Sequence, residues 1–70
     1  MKFNVMDHTG HSTLEFTEAQ RSEANATFDR LLAEGKIAGT RKAGQTDYQK
    51  VKSFDQLEDE TTFTPARQGG

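Results

Sequence analysis

The sequence predicts an α+β protein in which one helix packs on a small mixed sheet, in the order β-β-α-β-β. Three observations predict this class. Alternating apolar residues open the chain, a stretch with helical spacing follows at about residues 18–34, and strand-like segments return afterwards. The chain has 70 residues, which is enough for one domain with a small core. We therefore expect a single folded domain over residues 1–65, followed by a flexible tail at 66–70.

The first element is a predicted β-hairpin. Phe3 and Val5 alternate with polar residues, and Leu14 and Phe16 do the same further along. The polar segment between these runs contains Gly10, which is available for the positive φ of a turn. Two alternating runs joined by a short loop with glycine are typical of a hairpin.

The second element is an amphipathic helix. Thr17 and Gln20 have the spacing of a capping box at its start. Gly35 suits the position just after its end, where a left-handed backbone closes many helices. Four apolar residues share one face of the predicted helix: Ala24, Phe28, Leu31 and Leu32.

The middle of the chain has weaker signals. Residues 36–41 suit a short strand that Gly39 weakens, and residues 43–47 are typical of a loop. Residues 48–54 are a plausible strand, but Tyr48, Val51 and Phe54 are spaced by three, which suits neither a strand nor a helix.

Before the tail, the pattern becomes regular again. Ser53 is placed to cap one helical turn at 54–57, an acidic turn follows at 58–60, and residues 61–64 suit a last strand. The predicted core places the helix residues Phe28, Leu31 and Leu32 against five residues of the strands: Phe3, Val5, Leu14, Phe16 and Phe63.

Composition excludes several classes of function. The net charge of −2 argues against non-specific binding to nucleic acid. The chain has no cysteine, so it has neither a disulfide framework nor thiol chemistry. No apolar run approaches the length of a membrane span or a signal-peptide core. We expect a small soluble protein of the cytoplasm that acts as a monomer, without a membrane partner.

The last residues carry the strongest functional signal. Pro65 cannot donate a hydrogen bond to a neighbouring strand, so it marks the point where the chain leaves the sheet. The sequence closes with Gly69 and Gly70, which have no Cβ atom to restrict the backbone or crowd a terminal carboxylate. This pattern predicts an accessible carboxylate on a short, thin segment.

These features together resemble a known family. The order of elements is similar to the β-grasp fold of ubiquitin and of the prokaryotic sulfur carriers, over essentially the whole chain. The end of the chain is similar to the tails of molybdopterin-synthase and thiamine-type carriers, in which an acidic turn precedes the last strand, a proline and Gly-Gly. The residues of this local match are Leu57, Asp59, Glu60, Phe63, Pro65, Gly69 and Gly70.

The resemblance implies that Gly70 carries the chemistry. In such families a partner enzyme uses ATP and magnesium to adenylate the terminal carboxylate, and a sulfur nucleophile then displaces AMP. Gly69, Gln68 and Arg67 are expected to thread into the channel of that enzyme. Gln68 departs from the ubiquitin tail, in which an arginine precedes the glycines, and this favours a sulfur carrier or a bacterial modifier with its own activating enzyme. A JAB-type metallopeptidase or a synthase subunit is a further implied partner.

An alternative from another class stays open: a β-grasp interaction module or accessory subunit with an incidental tail. No arrangement of residues typical of an enzyme site occurs, so the chain itself is not expected to be an enzyme or to hold a cofactor. Asp7, His8 and His11 have ligand-type side chains, but the interpretation we favour is a solvated turn without metal. The basic residues of the middle segment indicate a solvated or protein-docking face.

Overall fold

The computed structural model describes residues 1–7 and 9–65, and His8 and residues 66–70 lie outside the described part. The described residues form five strands, one α-helix and two short 3-10 turns. In chain order these are β1 (Lys2–Asp7), β2 (Gly10–Glu15), a 3-10 turn (Glu18–Gln20), α1 (Arg21–Ala33), β3 (Lys36–Arg41), β4 (Gln49–Val51), a second 3-10 turn (Phe54–Gln56) and β5 (Glu60–Pro65).

The predicted hairpin is confirmed. β1 and β2 pair antiparallel, with Phe3 opposite Leu14 and Asp7 opposite Gly10. Gly10 has a φ of +137°, a backbone conformation that residues with a Cβ rarely adopt. At the open end of the hairpin, the Phe16 N–H donates to the Met1 carbonyl at 2.8 Å, which extends the pairing by one step.

The predicted helix is also confirmed, although its first turn is a 3-10 turn. The backbone N–H of Thr17 donates to Oε1 of Gln20 at 3.0 Å, which is the reciprocal half of the predicted capping box. Gly35 has a φ of +92° and its N–H donates to the Leu32 carbonyl at 3.0 Å. It therefore closes the helix as the sequence predicted.

The strands form one mixed sheet in the order β2-β1-β5-β3-β4. β1 and β5 are parallel, with Lys2 opposite Glu60, and every other neighbouring pair is antiparallel. β5, the last strand among the described residues, thus lies in the middle of the sheet, between β1 and β3. The protein is an α+β fold with one helix on a five-stranded mixed sheet, a β-grasp-like arrangement that confirms the predicted class.

The core lies between the helix and one face of the sheet. Phe63 on the central strand contacts Phe3 and Phe28 edge to face, with ring centroids 5.0 and 5.8 Å apart. Val5, Phe16, Leu32, Phe54 and Leu57 pack against this cluster and are partly buried. The buried apolar residues are Phe3, Ala24, Phe28, Leu31, Ala38, Val51 and Phe63.

The structure departs from the sequence-based prediction at two places. Leu14 does not join the core and is 36% exposed, because it lies on the edge strand β2, all of whose residues are exposed. The strand predicted at 48–54 is limited to Gln49–Val51. Phe54 instead begins the second 3-10 turn, which confirms the single helical turn predicted after Ser53.

Candidate functional site

The residues that the sequence singled out for carboxylate chemistry, Arg67, Gln68, Gly69 and Gly70, lie outside the described residues. The structure describes the strand that leads to them. β5 is central in the sheet and ends at Pro65, which is paired in register with Lys36 of β3. Phe63 is fully buried, whereas Thr64 and Pro65 are exposed. The change from core to surface thus takes place within two residues.

The second candidate is the sheet face opposite the helix, which we call the open face. Because side chains alternate along a strand, the neighbours of buried residues point to this face. It is polar across β1 and β2 and more apolar across β3. The residues it presents include Lys2, Asn4 and Met6 of β1, Glu60, Thr62 and Thr64 of β5, Ile37, Gly39 and Arg41 of β3, and Lys50 of β4.

A polar network crosses the open face from strand to strand. Arg41 Nη2 lies 2.7 Å from Glu60 Oε1, and Asn4 Nδ2 donates to the other carboxylate oxygen of Glu60. Thr13 on the edge strand donates to Asn4 Oδ1 at 3.2 Å. Arg41 also donates to the Gln45 carbonyl in the loop before β4. The network thus joins β2, β1, β5 and β3 to this loop.

The network changes the acidity of its charged groups. Hydrogen bonds from Asn4 and then from Arg41 hold the pKa of the Glu60 carboxyl below its ordinary value. The hydrogen bond with Glu60 raises the pKa of Arg41, and Tyr48 adds to this effect. Both groups are therefore charged at neutral pH, and they form an ion pair on the open face.

Tyr48 lies against β3 beside this network. The Arg41 guanidinium carbon is 5.2 Å from the centroid of the Tyr48 ring, a cation–π contact. A Cβ atom added at Gly39 would lie 3.3 Å from the Cβ of Tyr48, so glycine permits the close approach. Tyr48 remains 44% exposed and Ile37, also on the open face, is 39% exposed. The two side chains give this end of the face an apolar surface.

Two carboxylates of the predicted acidic turn form hydrogen bonds within the fold. Asp59 Oδ2 accepts from the backbone N–H of Ala43 at 2.8 Å, and Glu60 belongs to the network with Arg41. These two carboxylates fix the β3–β4 loop and the sheet. The two basic segments pair in the sheet, since Lys50 of β4 lies opposite Gly39 of β3.

The histidine turn is described in part. His8 lies outside the described residues, and His11 is exposed on β2. Asp7 accepts from the backbone and the hydroxyl of Thr9 at 2.8 and 2.7 Å, which lowers the pKa of its carboxyl. Within residues 1–7 and 9–65, no group of three or more His, Cys, Asp or Glu side chains is arranged to hold a metal ion.

Neither the Asn4–Glu60–Arg41 network nor the position of Tyr48 was predicted from the sequence. Asn4 and Glu60 are separated by 56 positions, and only the parallel register of β1 and β5 brings them together. No local pattern reports such a register. Gly39 was the one available signal, because a glycine inside a strand often marks a close approach by another group.

Comparison with known proteins gives no relative. No protein-family model matches the chain, and no significant match exists among curated proteins or solved structures. Among the described residues, no helix is both long and apolar enough to cross a membrane.

Proposed function

We propose that the chain is a ubiquitin-like carrier or modifier protein, whose Gly70 carboxylate is adenylated by a partner enzyme. The observation that carries the proposal is the position of β5. This central strand is anchored by the fully buried Phe63 and becomes exposed at Thr64 and Pro65, five residues before Gly70. A central strand with a buried anchor is thus followed at once by the segment that contains Gly-Gly. The proposal requires Gly70 to be the last residue of the mature protein.

The chemistry needs little from the chain itself. A terminal carboxyl group titrates at a pKa of about 3.5, so it is an anion at neutral pH. One of its oxygens attacks the α-phosphorus of ATP, and pyrophosphate leaves. A sulfur nucleophile then attacks the carbonyl carbon of the adenylate, and AMP leaves. A partner cysteine gives a thioester, whereas a sulfide sulfur gives a thiocarboxylate.

Glycine suits positions 69 and 70 because it has no side chain. To place its carboxylate in the active site of an adenylating enzyme, the end of the chain must enter that site as backbone alone. Only glycine lets a backbone approach its surroundings without a Cβ atom. In this proposal Gly69, Gln68 and Arg67 thread through the partner, and the domain of residues 1–65 stays outside as the surface that the partner recognises.

Two outcomes of activation are proposed as alternatives, sulfur transfer and conjugation, and one experiment separates them. The protein is purified from its own source, and its intact mass is compared with the mass calculated for a chain ending at Gly70. A thiocarboxylate adds the mass difference between sulfur and oxygen. Conjugation is detected after trypsin digestion, because cleavage after Arg67 leaves a Gln-Gly-Gly remnant on the modified lysine of a target. A mature protein that extends beyond Gly70, with neither product, would exclude the proposal.

A second candidate function is supported by a separate observation. Ile37 and Tyr48 expose 39% and 44% of their surface on the open face, where no described residue covers them. Exposed apolar side chains beside a polar network favour an interaction module, a protein that acts by docking. In this second proposal the Gly-Gly segment is incidental, and replacing Gly70 leaves the biological activity unchanged.

A further inference from the structure

One end of the open face forms a groove with an apolar floor and basic rims. Its floor includes Ile37 and Tyr48, and Thr62 and Thr64 of β5 lie along its side. A second hollow lies at the same edge but on the helix side of the sheet; it is lined by Leu32 and Val51 and shares Ile37 and Lys50 with the first. We call the two together the lysine-rimmed groove. Its lysines are Lys36, Lys50 and Lys52.

The charge of the groove is opposite to that of the chain. The chain has eleven acidic and nine basic residues, yet none of the described residues that line the groove is acidic. In β5 and the turn before it, the carboxylates have other partners: Glu60 pairs with Arg41, and Asp59 accepts a hydrogen bond from the backbone N–H of Ala43. The lysines of the groove therefore create a local positive potential, which favours an acidic occupant.

The position of β4 favours an extended occupant. β4 is the last strand in the sheet order and pairs only with β3 among the described residues. Its outer edge, Gln49–Val51, consequently presents backbone groups to which another strand can add. An edge of three residues forms few backbone hydrogen bonds, so the side chains of the occupant must supply most of the specificity.

The apolar floor of the groove favours a protein occupant over a nucleic acid. A polyanion would gain from the lysines but would place its phosphates over the exposed carbon atoms of Ile37 and Tyr48. A peptide with alternating side chains can direct apolar groups to this floor and carboxylates to the rims. Tyr48 is also held in place by Arg41 and Gly39, so little ordering is required when a ligand binds.

We propose that the lysine-rimmed groove binds an extended acidic segment of a partner protein, with its apolar side chains on Ile37 and Tyr48 and its carboxylates on Lys50 and Lys52. This surface lies within the domain of residues 1–65. The proposal is therefore separate from the activation of Gly70, and each stands if the other fails.

The test is a selection from a displayed library of random peptides against the full chain. We expect the selected peptides to be enriched in apolar residues flanked by aspartate or glutamate, compared with the unselected library. The tightest peptide is then synthesised and titrated by NMR, and the largest amide shifts are expected in β3 and β4. Selected peptides that lack acidic residues, or shifts confined to β1, β2 and α1, would overturn the proposal.

Matched variants make the test specific. Ile37→Ser should weaken binding of this peptide by about tenfold, which corresponds to about 1.4 kcal/mol, whereas Leu14→Ser, equally exposed on the other edge, should leave it unchanged. Lys50→Glu should weaken it similarly, while Lys42→Glu, which changes the net charge equally, should have less than about a threefold effect. Ile37→Thr replaces Ile37→Ser if the serine variant unfolds.

Three further results would contradict the proposal. One is equal weakening by the groove variants and their controls. Another is displacement of the peptide by single-stranded DNA. If Lys50→Glu abolishes this competition and Ile37→Ser does not, the groove is a polyanion site. The third is concentration-dependent self-association of the wild type that Ile37→Ser abolishes, since the groove would then be covered by a second copy of the chain.

Discussion

Arg41 of β3 and Glu60 of β5 lie opposite each other in the sheet, and their charged groups are 2.7 Å apart. Glu60 is held from its other side by Asn4 of β1, so a single carboxylate connects three strands. The guanidinium in turn holds Tyr48 and the loop before β4. The pair thus links the central strand, which leads to the Gly-Gly segment, to the groove at the edge of the sheet.

This relationship predicts a pH-dependent stability. The folded-state pKa of Glu60 is below its ordinary value of 4.5. The ionised carboxylate therefore adds to the free energy of unfolding above pH 4.5, and this stabilisation is lost as the pH falls through the folded-state pKa. Glu60→Gln should therefore lower the free energy of unfolding at neutral pH, and the difference from wild type should shrink in acid. Urea unfolding at several pH values measures this. Glu58→Gln removes the same charge from an exposed side chain and serves as the control, and a difference for Glu60→Gln that persists in acid would contradict the prediction.

The buried threonine pair predicts a second effect. The Thr40 hydroxyl accepts from the Glu58 N–H at 2.8 Å and lies 3.1 Å from both the Glu60 carbonyl and the Thr61 hydroxyl. Thr40→Val removes these bonds and leaves buried polar groups unpaired, which should cost about 1–3 kcal/mol of stability. Thr64→Val, at an exposed position of β5, should change stability by less than about 0.5 kcal/mol. Chemical denaturation of both variants makes the comparison, and equal midpoints would show that the hydroxyl of Thr40 contributes little.

The aromatic core predicts the largest loss. Phe28 is 1% exposed and contacts both Phe54 and Phe63 edge to face. Phe28→Ala should cost about 3–5 kcal/mol, a large part of the roughly 5–15 kcal/mol that stabilises a typical domain. Leu14→Ala, on the exposed edge strand, should cost about 1 kcal/mol or less. Thermal unfolding followed by circular dichroism distinguishes the two, and an unchanged midpoint for Phe28→Ala would show that the helix does not pack as described.

The elements that the sequence predicted are those with local signals. The hairpin turn at Gly10, the start of the helix at Thr17 and its end at Gly35 each depend on residues a few positions apart. Their physical causes, a positive φ and a helix cap, are visible in the residue types. The structure therefore agrees with the sequence at these places.

The parts that were missed depend on pairing over long distances. Tyr48, Val51 and Phe54 were read as one strand, but each belongs to a different environment: a contact on Gly39, the core, and a 3-10 turn. Leu14 alternates as a core residue should, yet the edge position of its strand leaves it exposed. Sheet order and register decide these outcomes, and neither is encoded in a short window of sequence.

The tail of residues 66–70 was predicted from its sequence alone and stays a prediction. The apolar core of the described residues is complete without it, from Phe3 to Phe63. Variants of the tail are therefore expected to keep the unfolding midpoint of the wild type, which separates a loss of chemistry from a loss of fold.

Adenylation of Gly70 is measured most directly by the exchange of labelled pyrophosphate into ATP, catalysed by an adenylating enzyme from the same source. If Gly70 is adenylated, we expect exchange that depends on the wild-type chain, with its terminus at Gly70 verified by intact mass. Gly70→Trp and deletion of residues 69–70 should reduce the exchange at least about tenfold, equivalent to about 1.4 kcal/mol, with unchanged unfolding midpoints. Exchange that persists in both variants would contradict the claim, as would its absence with every adenylating enzyme of that source.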